Sequence, residues 1–218
     1  MNYIYYRSDV SKEELLRMNI VIDSEAKIAD GVKISSGVCV LKESKIGQNV
    51  EIGSNSIIEN TVLEDGVKIQ SSVVKDSHIG NNTSIGPFAH IRNNTIIGKD
   101  CRIGNFVEIK KSIIGDECKI AHLTYVGDAS MGRNCNIGCG VVFCNYNGEI
   151  KQSSNLGDNV FIGSNVNIIA PVNIGDWAYV AAGSTINKNI EPDEFSIARS
   201  RQENKKNFIN PYKNNKKH

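Results

Sequence analysis

The chain has 218 residues, enough for one domain of ordinary size. Its 25 basic and 24 acidic side chains leave it nearly neutral, which argues against nucleic acid or a membrane surface as partner. Aromatics are only 6% of residues, which suits a thin interior lined by Ile and Val better than a broad globular core, and no run approaches membrane-spanning length.

The opening stretch MNYIYYRSDVSKEELL carries charges where a signal peptide needs an apolar run, so a cytoplasmic location is expected. Within residues 1–27, Ser11 and Glu14 stand at capping-box spacing ahead of Leu15 and Leu16, which predicts a short helix over roughly 12–18. From Ile28 to Ile186 an aliphatic residue returns every six positions, often followed by glycine, as in Ile46-Gly47, Ile79-Gly80, Ile103-Gly104 and Ile174-Gly175. Six is neither the 3.6 of a helix nor the two of a plain strand. It is the period of hexapeptide-repeat β-helices, in which three short strands close one triangular coil. The expected fold is all-β, a parallel β-helix of hexapeptide repeats over 28–191, with an N-terminal segment at 1–27 and a basic tail at 192–218. About 27 hexads give about nine coils, a prism roughly 40 Å long at the ~4.8 Å strand spacing.

Taking the hexad at Ile97 as face A places Ile120 on face B, and Ile91 and Ile109 on face C. Cys101, Cys118 and Cys135 each sit four places into a face A hexad, 17 residues apart, and should stack in an inward slot for small residues. Nothing else in the chain marks secretion, and no CxxC or histidine cluster accompanies these thiols, so they read as small buried hydrophobes.

Arg92 and Lys110 follow the face C starts and point outward one coil apart. Stacked cations repel unless an anion lies over them, so the pair marks an anion site. His122 is third in its face B hexad, at the corner turning to face C, and Tyr125 closes that hexad. Imidazole, phenol and both cations are expected to converge on one corner within two coils. Down the same corner run Asn105, His122, Cys139, Ser164 and Ala182, a ladder of small side chains below the histidine that suits an extended ligand arm. A neutral imidazole can take a proton near neutral pH, as amine acylation requires, because an ammonium has no lone pair.

The repeat breaks once. After Phe143 the next good start is Leu156-Gly157, so seven extra residues within CNYNGEIKQSSN must loop out, the kind of excursion where function tends to sit. After Ile190 the pattern stops, and the segment NKKNFINPYKNNKKH reads as a polar terminus, with anion contact as the sharper alternative.

The stretches IGPFAHIR (85–92), GNFVEIKK (104–111), HLTYVGD (122–128), CNYNG (144–148) and SIAR (196–199) resemble one known family. It is the acetyltransferase half of the bacterial bifunctional glucosamine-1-phosphate acetyltransferase/N-acetylglucosamine-1-phosphate uridyltransferase. The resemblance runs almost ungapped from Ile79 to Phe208 and more loosely back to Ile28. It implies a left-handed β-helix, an exception to the right-handed crossover rule, and a homotrimer with its sites between subunits. It implies His122 as general base, with Arg92, Lys110, Tyr125, Asn136 and Lys151 as sugar-phosphate contacts. It likewise implies Cys139, Asn145, Tyr146, Ser164, Ala182 and Arg199 as acetyl-CoA contacts. From the insertion, Lys151 would reach a neighbouring subunit, and the Asn145-Tyr146 segment would help steady the oxyanion. The reaction implied moves acetyl from acetyl-CoA to the 2-amino group of glucosamine 1-phosphate, towards UDP-N-acetylglucosamine and the cell wall, with no metal.

The chain departs from the family at Ala121, where glycine is usual, at Asn93-Asn94 in place of Pro-Gly, and at Cys139 in place of alanine. Residues 1–27 lack the LAAGxGTRM-type loop that uridylyl transfer needs, so acetyl transfer alone is expected. The alternatives are an acyltransferase of this fold acting on another, possibly nucleotide-linked, amino sugar, a three-histidine metal enzyme, or a scaffold without chemistry. The metal reading is disfavoured because His78 and His90 do not stack with His122.

Overall fold

The structure is a computed structural model that describes residues 3–205. Residues 206–218 of the basic tail, and with them the end of the resemblance at Phe208, lie outside the described residues. The chain folds as a left-handed parallel β-helix of triangular section.

Each coil follows from the hexad. Its aliphatic residue points inward and its neighbours outward, so every coil adds aliphatic side chains to one dry column. Ile79, Ile85, Ile91, Ile97, Ile103, Ile109, Ile114 and Ile120 are at most 2% exposed. Each contributes on the order of 2 kcal/mol relative to leaving it in water. Cys101, Cys118 and Cys135 are free, buried thiols in one column. They donate to the carbonyl oxygens of Gly115, Gly132 and Gly157, each at 3.1 Å.

Face A is one nine-stranded parallel sheet, from Lys27–Ile28 to Asn173–Ile174. Faces B and C join into a nineteen-stranded sheet because Arg102–Lys110 and Lys119–Gly127 run through the B-to-C corner unbroken. The rungs superpose in register: Ile85, Ile103, Ile120 and Ile137 on face B, and Ile91, Ile109 and Val126 on face C.

Corners turn through left-handed residues, so Asn and Asp fill many of them, among them Asn49, Asn82, Asp100 and Asn134. At the B-to-C corner the bulky Phe88, Phe106 and Leu123 adopt the same conformation, with φ of 60°, 56° and 42°. Gly104, just ahead of this corner, has no room for a side chain, because a Cβ there would collide with the carbonyl oxygen of Ala121 on the next coil.

The N-terminal segment docks on the prism. Tyr3–Tyr5 pairs antiparallel with Lys33–Ser35, and Val21–Ile22 already pairs in parallel with Cys39–Val40. Between them a helix, Lys12–Arg17, starts at Ser11, whose hydroxyl accepts from the Glu14 N–H at 3.1 Å. At the other end Phe195–Ser196 adds a parallel rung to Tyr179–Val180. The ladder thus outruns the hexad pattern at both ends, because pairing needs extended backbone and not the aliphatic repeat. Among the described residues no helix is long and apolar enough to cross a membrane.

Candidate active site

The B-to-C corner presents Asn105, His122, Cys139, Ser164 and Ala182 as one column. Asn105 pairs with His122 directly, and the register of Asn136, Phe161 and Tyr179, three residues earlier, carries the column down to Ala182. His122 is exposed, and its Nδ1–H donates to Asn105 Oδ1 at 2.8 Å. The asparagine oxygen can only accept, so the proton sits on Nδ1 and Nε2 keeps its lone pair. Below it Cys139 is an exposed free thiol. Arg199 closes the ladder, its Nη1 donating to the Ala182 carbonyl at 2.9 Å. Asn136 stands beside this corner on face B, one coil below Lys119.

Arg92 and Lys110 lie at the opposite edge of face C. Arg92 pairs with Lys110, and Lys110 with Gly127, five residues beyond His122 on the same strand. At ~3.3 Å per residue the two edges stand up to ~16 Å apart. The expected convergence on one corner therefore does not occur within a chain. The strand alternates, Ile109 takes the inward place between Glu108 and Lys110, and the second outward position falls at the far edge. Within one chain the imidazole and the cations form two separate clusters.

The cations at that edge are not bare. Arg92 Nε and Nη2 both donate to Glu108 Oε1, at 2.9 and 2.6 Å, and Nη1 donates to Asn93 Oδ1 at 2.9 Å. Lys110 Nζ lies 2.8 Å from Asp128 Oδ2, and both side chains are only 8% exposed. Burial pulls the Lys110 pKa down, but the bond to Asp128 and its charge outweigh that and raise it. Burial pushes Asp128 up, yet Lys110 and Asn145 hold it below its ordinary value. Glu108 and Asp128 lie within the GNFVEIKK and HLTYVGD stretches but carry no assigned role there; Glu108 shares the outward side with Lys110, and Asp128 lies one coil below Lys111.

Tyr125 leans towards this cluster. Gly127 leaves the outward place beneath Lys110 open, and a Cβ there would run into the Tyr125 hydroxyl. That hydroxyl lies 3.5 Å from Asn145 Nδ2, which also donates to Asp128 Oδ2. Asn145 is buried and braces the cation cluster. It lies at the Lys110 edge, off the corner ladder of its own chain.

The insertion is an ordered hairpin. Tyr146 bridges Lys151 antiparallel, and Asn147 Oδ1 accepts from the backbone N–H groups of Glu149 and Ile150 at 3.0 and 2.9 Å. Tyr146 is exposed on this hairpin, at the same edge as Asn145 and also off the ladder. The hairpin folds back on its own chain, so Lys151 stands beside Lys110 of the same subunit. The Lys110 ammonium, with smaller parts from burial and Arg92, holds the Lys151 pKa below its ordinary value, and Asp128 opposes this.

A groove of about 460 Å³ opens here, with Asn94, Lys111, Asp128, Lys151 and Gln152 in its lining. Lys111 Nζ lies 3.7 Å from Asp128 Oδ1. Four cations (Arg92, Lys110, Lys111, Lys151) face two carboxylates (Glu108, Asp128), which leaves two positive charges uncompensated. That balance suits a phosphate monoester dianion. Among the described residues, no group of three or more His, Cys, Asp or Glu side chains is placed to hold a metal ion.

Residues 76–111 and 153–188 match the repeat family described as bacterial transferase hexapeptide (six repeats), and 45–74 match the hexapeptide repeat of succinyl-transferase. The chain is 47% identical over 188 residues to the bifunctional protein GlmU of Clostridium botulinum, and 48% identical over 187 residues to that of Limosilactobacillus reuteri. Each match covers 86% of this chain and 41% of the relative, so the chain spans about two fifths of the curated relatives it matches. Among solved structures, LpxA, a UDP-N-acetylglucosamine acyltransferase from Bacteroides fragilis, has a TM-score of 0.64 at 23% identity, over 81% of this chain and 68% of that one. The UDP-N-acetylglucosamine acyltransferase of Francisella novicida has a TM-score of 0.51 at 19% identity, over 82% and 67%. At such identities the structural likeness extends to the fold alone.

Proposed function

We propose that this hexapeptide-repeat protein is a cytoplasmic, acetyl-CoA-dependent N-acetyltransferase that converts glucosamine 1-phosphate to N-acetylglucosamine 1-phosphate and works as a homotrimer. The sequence kinship with the bifunctional GlmU proteins supports the reaction class. One observation carries the reading: an oriented imidazole and a cluster of cations in excess over their carboxylate partners are separated by the width of face C. The first is a base without a substrate holder, and the second a phosphate holder without a base.

Turning face C of three copies towards one axis would set the His122 corner of each copy against the Lys110 edge of the next. The exposed Phe88, Phe106 and Leu123 crown that His122 corner, with Phe88 and Phe106 stacked at 5.7 Å. They form an apolar surface that a second copy would cover. Their left-handed backbone is costly for side chains of this size, and such strain persists where a contact holds it.

In this reading Arg92, Lys110 and Lys151 hold the phosphate, while His122 and Asn136 approach from the adjoining copy. His122 Nε2 takes a proton from the 2-amino group as the nitrogen attacks the thioester carbonyl. The C–N bond forms, the C–S bond breaks, and the proton passes to the departing thiolate. Fixing base and amine together supplies a large part of the acceleration. The coenzyme arm runs down Cys139, Ser164 and Ala182 towards Arg199. The proposal covers acetyl transfer and assigns no uridylyl transfer to these residues.

A thiol-release assay with acetyl-CoA and glucosamine 1-phosphate, run with and without UTP, tests it. Thiol should appear only with the amino sugar phosphate, and UTP should change nothing. Turnover of a nucleotide-linked amino sugar, with none of glucosamine 1-phosphate, would overturn the substrate.

A further inference from the structure

One outward column on face B changes character part way down the prism. It is polar or charged for seven rungs, from Lys33 to Asn136, and aromatic for the last three, Phe161, Tyr179 and Phe195. Phe161 and Tyr179 stack with centroids 4.5 Å apart and planes 16° apart, and Tyr179 and Phe195 follow at 5.7 Å and 31°. Tyr179 is 46% and Phe195 63% exposed. Seven rungs of solvated side chains satisfy this column, so the exposed rings of Tyr179 and Phe195, stacked below a half-buried Phe161, are apolar surface without a cover.

The change falls beside the corner ladder. Each ring stands three residues ahead of a small corner residue, Phe161 before Ser164, Tyr179 before Ala182 and Phe195 before Ala198. Phe195 lies on the last paired rung, so one face of its ring has no further ring beyond it among the described residues. Four residues on, Arg199 fixes its guanidinium at the Ala182 carbonyl, within the same two rungs.

We infer that Tyr179 and Phe195 are the platform for the purine base of the coenzyme, with Arg199 at its phosphates. This rests on the acetyl-CoA reading above. A flat base extends an open-ended aromatic stack, and a guanidinium beside the stack meets the anionic part of a nucleotide. From the rung of Lys119, level with His122, to that of Phe195 there are four coil spacings, ~19 Å at ~4.8 Å each. An extended pantetheine-diphosphate arm spans that order of length between thioester and base.

The test compares acetyl-CoA with acetyl-pantetheine, which keeps the thioester arm and lacks the nucleotide. Phe195→Ala and Tyr179→Ala should each raise the KM for acetyl-CoA roughly tenfold, in line with base-stacking energies. The KM for acetyl-pantetheine and kcat with either donor should stay at wild-type values, and Phe195→Trp should restore coenzyme preference. Titration calorimetry with CoA reads the same difference without turnover. Equal changes with both donors, no change with either, or loss of the trimer in these variants would each overturn the platform. A wild-type chain that transfers no acetyl group at all would instead fail the underlying function, and is recognised before any variant is made.

Discussion

The Nδ1–H of His122 donates to Oδ1 of Asn105 across one coil at 2.8 Å, and this bond selects Nε2 as the basic atom of the imidazole. An imidazole held on a rigid strand with its tautomer set needs little reorientation to accept a proton. The strand that carries Asn105, Arg102–Lys110, also takes Lys110 to the far edge, while His122 lies on the next strand, Lys119–Gly127.

His122→Ala should lower kcat by ~10²–10⁴-fold while leaving the oligomer intact. Asn105→Ala should lower kcat about tenfold with little change in KM, because the ring loses its orientation and not its substrate. Asn105→Asp should keep the orientation and move the acid limb of the pH–rate profile to higher pH, since a carboxylate favours imidazolium. Unchanged activity in His122→Ala would remove the base assignment.

Shared sites give a mixing test. His122→Ala and Lys110→Ala subunits, each inactive alone, should regain activity when unfolded and refolded together. In the proposed trimer, a mixture would contain junctions where an intact His122 meets an intact Lys110. If the mixture stays as inactive as its parents, the two clusters do not meet between copies.

The Lys110–Asp128 pair makes a stability prediction with a definite pH sign. Asp128 is held below its ordinary value, so its share of stability is present above about 3.8 and lost as pH falls through the depressed folded value. Lys110 is raised, so its share is present below 10.5 and lost as pH rises through the raised value. The pair therefore holds across the neutral range. Asp128→Asn strands a buried ammonium and should cost about 3 kcal/mol at pH 7. Urea unfolding should show the gap from wild type narrowing in strong acid, and a gap that widened there would contradict the ion pair.

Cys139 is the one exposed thiol among the described residues, one coil below His122, while Cys101, Cys118 and Cys135 are buried. Alkylation with N-ethylmaleimide should inhibit, acetyl-CoA should protect, and Cys139→Ala should be active and resistant. Full alkylation of Cys139 with activity retained would take this residue off the coenzyme track.

The repeat makes the prism legible because burial acts identically on every rung. Any outward turn of Ile97, Ile103 or Ile109 would expose an aliphatic side chain, so a count by sixes places the core, the cysteine column and the Asn105–His122 corner. The same count places Arg92 over Lys110 but says nothing of which edge of the face they occupy relative to His122. Glu108 and Asp128, which hold those cations apart, carry no period at all. The positions of Asn145 and Lys151 follow from a hairpin set by the side chain of Asn147, which no repeat constrains.

Taken alone, the order of residues determined a triangular rod, its inward columns and the small-residue ladder beneath the imidazole. Only the folded chain decided that base and cations sit on opposite edges of one face, and that Lys151 turns back to its own Lys110. The physical reason is that a dry core imposes one requirement on every coil, whereas outward side chains find partners singly, through rotamers and loop turns that differ at each rung.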